Sequence, residues 1–194
     1  MWIVPGTNVV FVHVPKTAGQ AVRHAFGMEL ASGGTHRAVG PEAERFVNGD
    51  YVRFCVVRDP VERFVSSYRY AVQMFERQPS PSKRFLREKG LDRDINALID
   101  HARDTGLNLT GLGTHFRRQV SFVRPARPQI VLRHENLERD LVIVRALAPD
   151  AWKGLTRRNA SDDRPGGPAN FELTERSRRF VRDLYKPDAV QFGY

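Results

Sequence analysis

Cysteine is nearly absent from this sequence: Cys55 is the single one in 194 residues, so no disulfide can form within the chain. Long apolar runs are missing too. No stretch reaches the ~18 consecutive apolar residues of a membrane span. Met1-Trp2-Ile3-Val4-Pro5-Gly6 has neither the basic nor the apolar region of a signal peptide, so a cytoplasmic location without a membrane span is expected. Acidic residues are the minority, 22 Asp and Glu against 31 Lys and Arg, a formal charge of +9. That excess favours a polyanionic partner such as nucleic acid, acidic lipid, acidic glycan or a phosphorylated cofactor, without choosing among them. Repeats, low-complexity tracts and linkers are absent, and the length fits a single domain spanning 1–194. The histidines are scattered and the one cysteine lies in a strand pattern, so no metal site is expected.

A Walker A loop is also lacking, since no pair of glycines with four residues between them is followed by Lys-Ser or Lys-Thr. What stands in the corresponding place is Phe11-Val12-His13-Val14-Pro15-Lys16-Thr17-Ala18-Gly19-Gln20. The apolar run Val9 to Val14 reads as a buried strand. It breaks at Pro15, and Ala18, Val22, Ala25 and Phe26 then take the spacing of a helix face. A strand, a tight loop and a helix start gather backbone N–H groups at one place, and Lys16 adds a full charge there, a setting that favours a phosphate.

A second junction of this kind follows. Tyr51 to Val57 reads as a β-rich strand, and it runs into Arg58-Asp59-Pro60-Val61-Glu62. Asp59 as N-cap, Pro60 at the first helical position and Glu62 three residues after the cap predict a helix start. Val61, Phe64, Val65, Tyr68, Ala71, Val72 and Phe75 form its core stripe. Glu62, Arg63, Ser66, Arg69 and Gln73 fall on the opposite, solvent side. Arg58 and Ser66 can converge on an anion; equally, Arg58 can pair with a carboxylate and Ser66 can be an ordinary solvent-face residue.

Further helices are expected at 41–47, 83–89, from Leu91 to near Gly106, at 137–148 and 174–186, and a third core strand at Gln129 to Arg133, bracketed on its N-terminal side by Pro125 and Pro128. Residues 187–194 read as a tail. Leu107 to Arg118 is irregular and Gly-rich, and loops of that length often line a site, which makes His115 and Arg117 candidates. His36, beyond Gly33-Gly34, can be presented to a cleft, although a lone loop histidine is more often a surface residue. Strands alternating with helices predict an α/β fold, a single P-loop-like domain with a central, mostly parallel sheet flanked by helices. Ligands bind such sheets at the carboxyl ends of the strands, where the Lys16 loop and Arg58 both fall.

Taken together, His13-Val14-Pro15-Lys16-Thr17-Ala18-Gly19 and Arg58-Asp59-Pro60-x-x-Arg63-x-x-Ser66-x-Tyr68 closely resemble the two cofactor motifs of sulfotransferases that use 3′-phosphoadenosine 5′-phosphosulfate. The carbohydrate-type branch, with bacterial and Golgi members, is the most similar. Arg133-His134-Glu135-Asn136-Leu137 resembles that branch's Arg-Phe-Glu-Asn-Leu segment, Arg158-Asn159-Ala160-Ser161 its Asn-x-Ser loop and Phe192-Gly193-Tyr194 its usual ending. The resemblance implies that Pro15, Lys16, Thr17, Ala18, Gly19 and Gln20 hold the 5′-phosphosulfate, and that Arg58 and Ser66 hold the 3′-phosphate. Arg158 and Ser161 would complete the 3′-phosphate and adenine end. It implies in-line sulfuryl transfer to an acceptor hydroxyl or amine, on a glycan or another hydroxylated molecule. Nucleic acid is not expected as a partner, because the arginines are dispersed and the aromatics mostly fit core stripes. Lys16 would stabilise the leaving oxygen. His36 is the first choice of base and His115 the second. One departure stands out: the family commonly has Thr/Ser-Ser after the glycine, where this chain has Gln20-Ala21, and a Gln amide can still donate a hydrogen bond. The competing classes are a P-loop-type small-molecule kinase, which would need a Walker-type loop and a metal-holding acid, and a non-catalytic anion- or nucleic-acid-binding domain.

Overall fold

Four consecutive β-branched or aromatic residues, Val9–Val12, form strand β2, and every one of them is buried. A strand buried on both faces needs neighbours on both edges and cover on both sides. The computed structural model describes residues 1–31, 43–73, 80–156 and 169–194, and it shows how that need is met. The chain divides into two compact units, Met1–Asp59 with Gln119–Asn159, and Pro60–Arg118 with Ala160–Tyr194.

The first unit is α/β. In chain order its described elements are β1 (Trp2–Ile3), β2, α1 (Gly19–Ala25), β3 (Glu29–Leu30), α2 (Glu44–Asn48) and β4 (Val52–Val57). In the second unit follow α3 (Pro60–Gln73), α4 (Pro81–Glu88) and α5 (Ile95–Thr105). The first unit resumes with α6 (Val120–Ala126), β5 (Ile130–Arg133), α7 (Leu137–Asp140) and α8 (Val142–Leu147), and the second closes with α9 (Glu175–Leu184) and α10 (Lys186–Phe192).

The sheet has five strands in the order β3-β1-β2-β4-β5. The three strands legible in the sequence pair in parallel, with Val12 opposite Cys55 and Val57 opposite Arg133. The two-residue strands β1 and β3 add an antiparallel margin that makes the sheet mixed. Strands so short carry no alternation to detect. Pleating sends Phe11, Phe54, Val56 and Leu132 into one core with Val22, Phe26, Leu141 and Val144. The alternate residues Val10, Val12, Cys55 and Val57 are buried on the other face. Arg53, in the same strand, stays 8% exposed because its guanidinium donates to the carbonyls of Phe46, Tyr51 and Arg127.

The second unit is helical. Its core gathers Phe64, Tyr68, Leu98, Ile99, Phe116 and Tyr185. Side chains cap its helices: Ser80 accepts from Lys83 N–H, Asp94 from Asn96 N–H and Thr174 from Ser177 N–H. Gly106, with φ of 71°, closes α5 in the left-handed conformation.

Three expectations change. Residues 186–192 are helical where a tail is expected, because Pro187 falls in the first turn, where a missing N–H costs nothing. The proline at 125 does not bracket a strand; it sits near the end of α6, which stops at Arg127 with φ of 45°. Arg63, placed by helical periodicity on the solvent side, is fully buried. Its guanidinium donates to the carbonyls of His115 (3.0 Å) and Arg117 and lies 5.6 Å from the Tyr185 ring centroid. The irregular 107–118 segment has carbonyls that no ladder satisfies, and a buried guanidinium fork satisfies two of them.

Removing that fork strands buried carbonyls. Arg63→Met is expected to lower the unfolding free energy by about 3 kcal/mol, and Arg63→Lys not to restore it, because one ammonium cannot reproduce the planar two-point contact. Urea denaturation followed by far-UV circular dichroism checks both.

Candidate active site

β2, β4 and β5 are parallel neighbours, so their carboxyl ends lie along one edge of the sheet. That edge carries the Lys16 loop after β2, Arg58 after β4 and His134-Glu135 after β5.

In the loop, Lys16 has φ of 70° and Ala18 of 66°, while Thr17 between them stays outside the left-handed region. Neither residue is glycine, and each such conformation costs an L-residue about 1–2 kcal/mol. Alternation of this kind turns successive N–H groups toward one concavity, a nest that suits an anion. Thr17 is fully buried, and its hydroxyl donates to Val14 C=O at 2.8 Å, so the hydroxyl holds the loop closed from within. A Cβ on Gly19 would come within 2.1 Å of His13 Nε2; a glycine is needed here for close approach of the imidazole. His13 in turn stacks on Phe11, with 5.6 Å between ring centroids.

Gln20, the residue that departs from the family pattern, has a defined orientation. Its Oε1 accepts from Arg23 Nη1 at 3.0 Å, and Arg23 lies 3.6 Å over the Trp2 ring. With the amide oxygen engaged by Arg23, the amide NH2 is the end of Gln20 turned away from it.

At the second junction the backbone of Arg58 is held by a side chain 61 residues away. Arg58 N–H donates to Gln119 Oε1 at 3.0 Å, and Gln119 Nε2 donates to Arg58 C=O at 2.8 Å. Asp59 N–H donates to Glu135 Oε1 at 2.7 Å. His134 is half-buried, and burial, together with the Arg58 charge, pulls its pKa below the ordinary histidine value, against a smaller opposing pull from Glu135. Beside it the 134–139 segment and Leu155 line a shallow groove of about 650 Å³.

The second unit holds three more of the expected residues, Ser66, His115 and the exposed Arg117. Ser66 is half-exposed, about two turns into α3. His115 lies in the 3-10 turn Thr114–Phe116. Its carbonyl accepts from Arg63 and from Ser67 Oγ, and its ring lies 4.5 Å from that of Tyr70. Lys83 stands 5.0 Å from the Tyr70 ring centroid, and burial lowers the pKa of its ammonium. His36, Arg158 and Ser161 lie outside the described residues. Gln119, Ser67, Tyr70 and Lys83 have no signal in the sequence that marks them; Glu135 falls in the segment Arg133–Leu137, which resembles the family's.

Among the described residues, no three His, Cys, Asp or Glu side chains group so that they could hold a metal ion, and no helix is long and apolar enough to cross a membrane.

Two outcomes follow from the geometry. Ala18→Val, which puts a β-branched side chain into the left-handed region, is expected to cost about 2 kcal/mol, and Ala18→Gly to stay within about 1 kcal/mol of the parent; thermal melts rank the three. His134 is the more reluctant to take a proton in the folded state, so the unfolded chain binds more protons below its pKa of about 6.5. Stability is therefore full above about pH 6.5 and falls as the pH drops. His134→Gln is expected to flatten that part of the pH dependence of the melting temperature.

A protein-family model described as the sulfotransferase family matches residues 1–194, the whole chain. No curated protein and no solved structure matches it. The match agrees with the strand-end edge described above, and the chain belongs to the sulfotransferase family, whose chemistry is the transfer of a sulfuryl group to an acceptor.

Proposed function

We propose that the chain transfers a sulfuryl group from 3′-phosphoadenosine 5′-phosphosulfate to an acceptor hydroxyl or amine, with a carbohydrate as the preferred acceptor class. The observation that carries this reading is the pair of anion-suited features on one sheet edge: the loop with its nest at Lys16–Ala18, and Arg58 with its backbone held in place. Two such features suit a donor with two separated phosphate-bearing ends better than they suit a single phosphate.

The donor supplies an activated sulfur whose bond to the bridging phosphate oxygen breaks as the acceptor's oxygen or nitrogen bonds to it. The residues of the chain supply the rest. Pro15, Lys16, Thr17, Ala18, Gly19 and Gln20 hold the phosphosulfate end, with Gln20 offering its amide NH2 in place of a hydroxyl. Lys16 neutralises the charge that grows on the leaving oxygen. Arg58, with Ser66, Arg158 and Ser161, holds the 3′-phosphate and adenine end. A histidine takes the acceptor's proton, His36 by first choice and His115 by second. The net charge of +9 favours an acidic glycan among carbohydrates.

Transfer of labelled sulfate over a panel of glycan, lipid and phenolic acceptors tests the acceptor class. Calorimetry with 3′-phosphoadenosine 5′-phosphate, ATP and single-stranded RNA tests the donor site. Tight binding of RNA with no response to the bisphosphate would overturn the reading. Lys16→Ala is expected to lower kcat by about 10²–10³ while changing bisphosphate affinity much less, because its charge matters most in the transition state. An unchanged kcat would remove Lys16 from the role. Of His36→Ala and His115→Ala, the variant that loses the rate identifies the base.

A further inference from the structure

Arg58 occupies an awkward place for a residue that must present a guanidinium accurately. β4 ends at Val57, so the ladder that fixes the backbone of Cys55 and Val56 stops one residue short of it. A side chain is only as well placed as the backbone that carries it. At Arg58 the primary amide of Gln119 acts as a peptide group from an additional strand would: its oxygen accepts from Arg58 N–H at 3.0 Å and its nitrogen donates to Arg58 C=O at 2.8 Å. The ladder is thereby extended by one residue. Glu135 continues the support by accepting from Asp59 N–H.

Gln119 is 0% exposed. Burying an amide is unfavourable unless its hydrogen bonds are made, and a position needed only for packing would accept Leu or Met. Gln119 is also the residue at which the chain re-enters the first unit, while Arg58-Asp59 is where it leaves. The clip thus ties together, within that unit, the two points from which the 59-residue excursion 60–118 begins and ends.

We propose that Gln119 is a positioning residue for the donor's 3′-phosphate: it fixes the backbone of Arg58 so that the guanidinium meets that phosphate in one orientation. The inference rests on the assignment of Arg58 made above. It concerns recognition of one phosphate and leaves the sulfuryl end of the donor untouched.

The test uses the full chain and two ligands that differ only in that group, 3′-phosphoadenosine 5′-phosphate and adenosine 5′-phosphate, titrated by calorimetry. The parent protein is expected to prefer the bisphosphate. Gln119→Met, which keeps the volume and removes both hydrogen bonds, is expected to lose about tenfold of that preference with little change in affinity for the monophosphate. Arg58→Met removes the preference, and adding Gln119→Met to it removes nothing further, the non-additivity of residues acting through one contact. A merely structural glutamine would lower the melting temperature but leave the ratio of affinities intact, and that result, or additive losses in the double variant, overturns the proposal. Where Gln119→Met does not fold, Gln119→Glu carries the test. It still accepts from Arg58 N–H but sets an oxygen against Arg58 C=O, so the preference falls; a parental ratio overturns the positioning role. A parent protein with no preference for the bisphosphate overturns the assignment of Arg58 and this inference with it, whereas a parental preference that survives in Gln119→Met overturns only the latter.

Discussion

The parallel strands β2 and β4 are buried on both faces along almost their whole length, and this constraint governs where the protein can do chemistry. A strand whose side chains all face apolar cores has nothing to offer a ligand along its length. Polar groups can be presented only where the strands stop, and parallel pairing puts three stops on one edge. Lys16, Arg58 and Glu135 all occur within a few residues of such a stop. The fold thus concentrates in one stretch of the sheet what the sequence spreads over more than a hundred residues.

Holding that edge requires buried polar groups with specific partners. Thr17 closes the first loop from inside and Gln119 holds the second junction, where the exposed Glu135 adds a bond from Asp59 N–H. In the helical unit Arg63 does the same for the irregular 107–118 segment by donating to the His115 and Arg117 carbonyls, and Ser67 adds a further bond to His115. In each case a side chain replaces the ladder or helix hydrogen bond that the backbone has lost. Such groups are costly when unpaired and well defined when paired, which makes them suited to fixing a site rather than to adding bulk stability. The left-handed conformations of Lys16 and Ala18 are the matching expense in the backbone, kept in the loop to which the proposed function gives the phosphosulfate.

The departure at Gln20 is accommodated in the same way. An unrestrained glutamine could present either end of its amide to an anion, and the oxygen end would repel it. Arg23, resting on Trp2, engages the oxygen and turns the NH2 the other way. The amide end that Arg23 leaves unengaged is thus a donor, as the proposed role of Gln20 requires.

By itself, the sequence determined the α/β class, the three parallel strands, most of the helices and both motif loops, because each is encoded locally in the spacing of apolar residues, caps and breaks. Lys16 and Arg58 could be singled out on those grounds. It could not reveal the two-residue strands β1 and β3, which are held by their neighbours and have no pattern of their own. Helical periodicity put Arg63 in solvent, since it registers which face a residue is on but not which carbonyls lie over that face. Gln119 was illegible for the same reason: its partner is 61 residues away, and a lone amide before a short helix looks like any polar surface residue. Only the tertiary structure decided those contacts. Hydrogen bonds between distant segments follow from where the core brings the backbone, and a buried polar side chain is specified by the unsatisfied group it meets rather than by its neighbours in the chain.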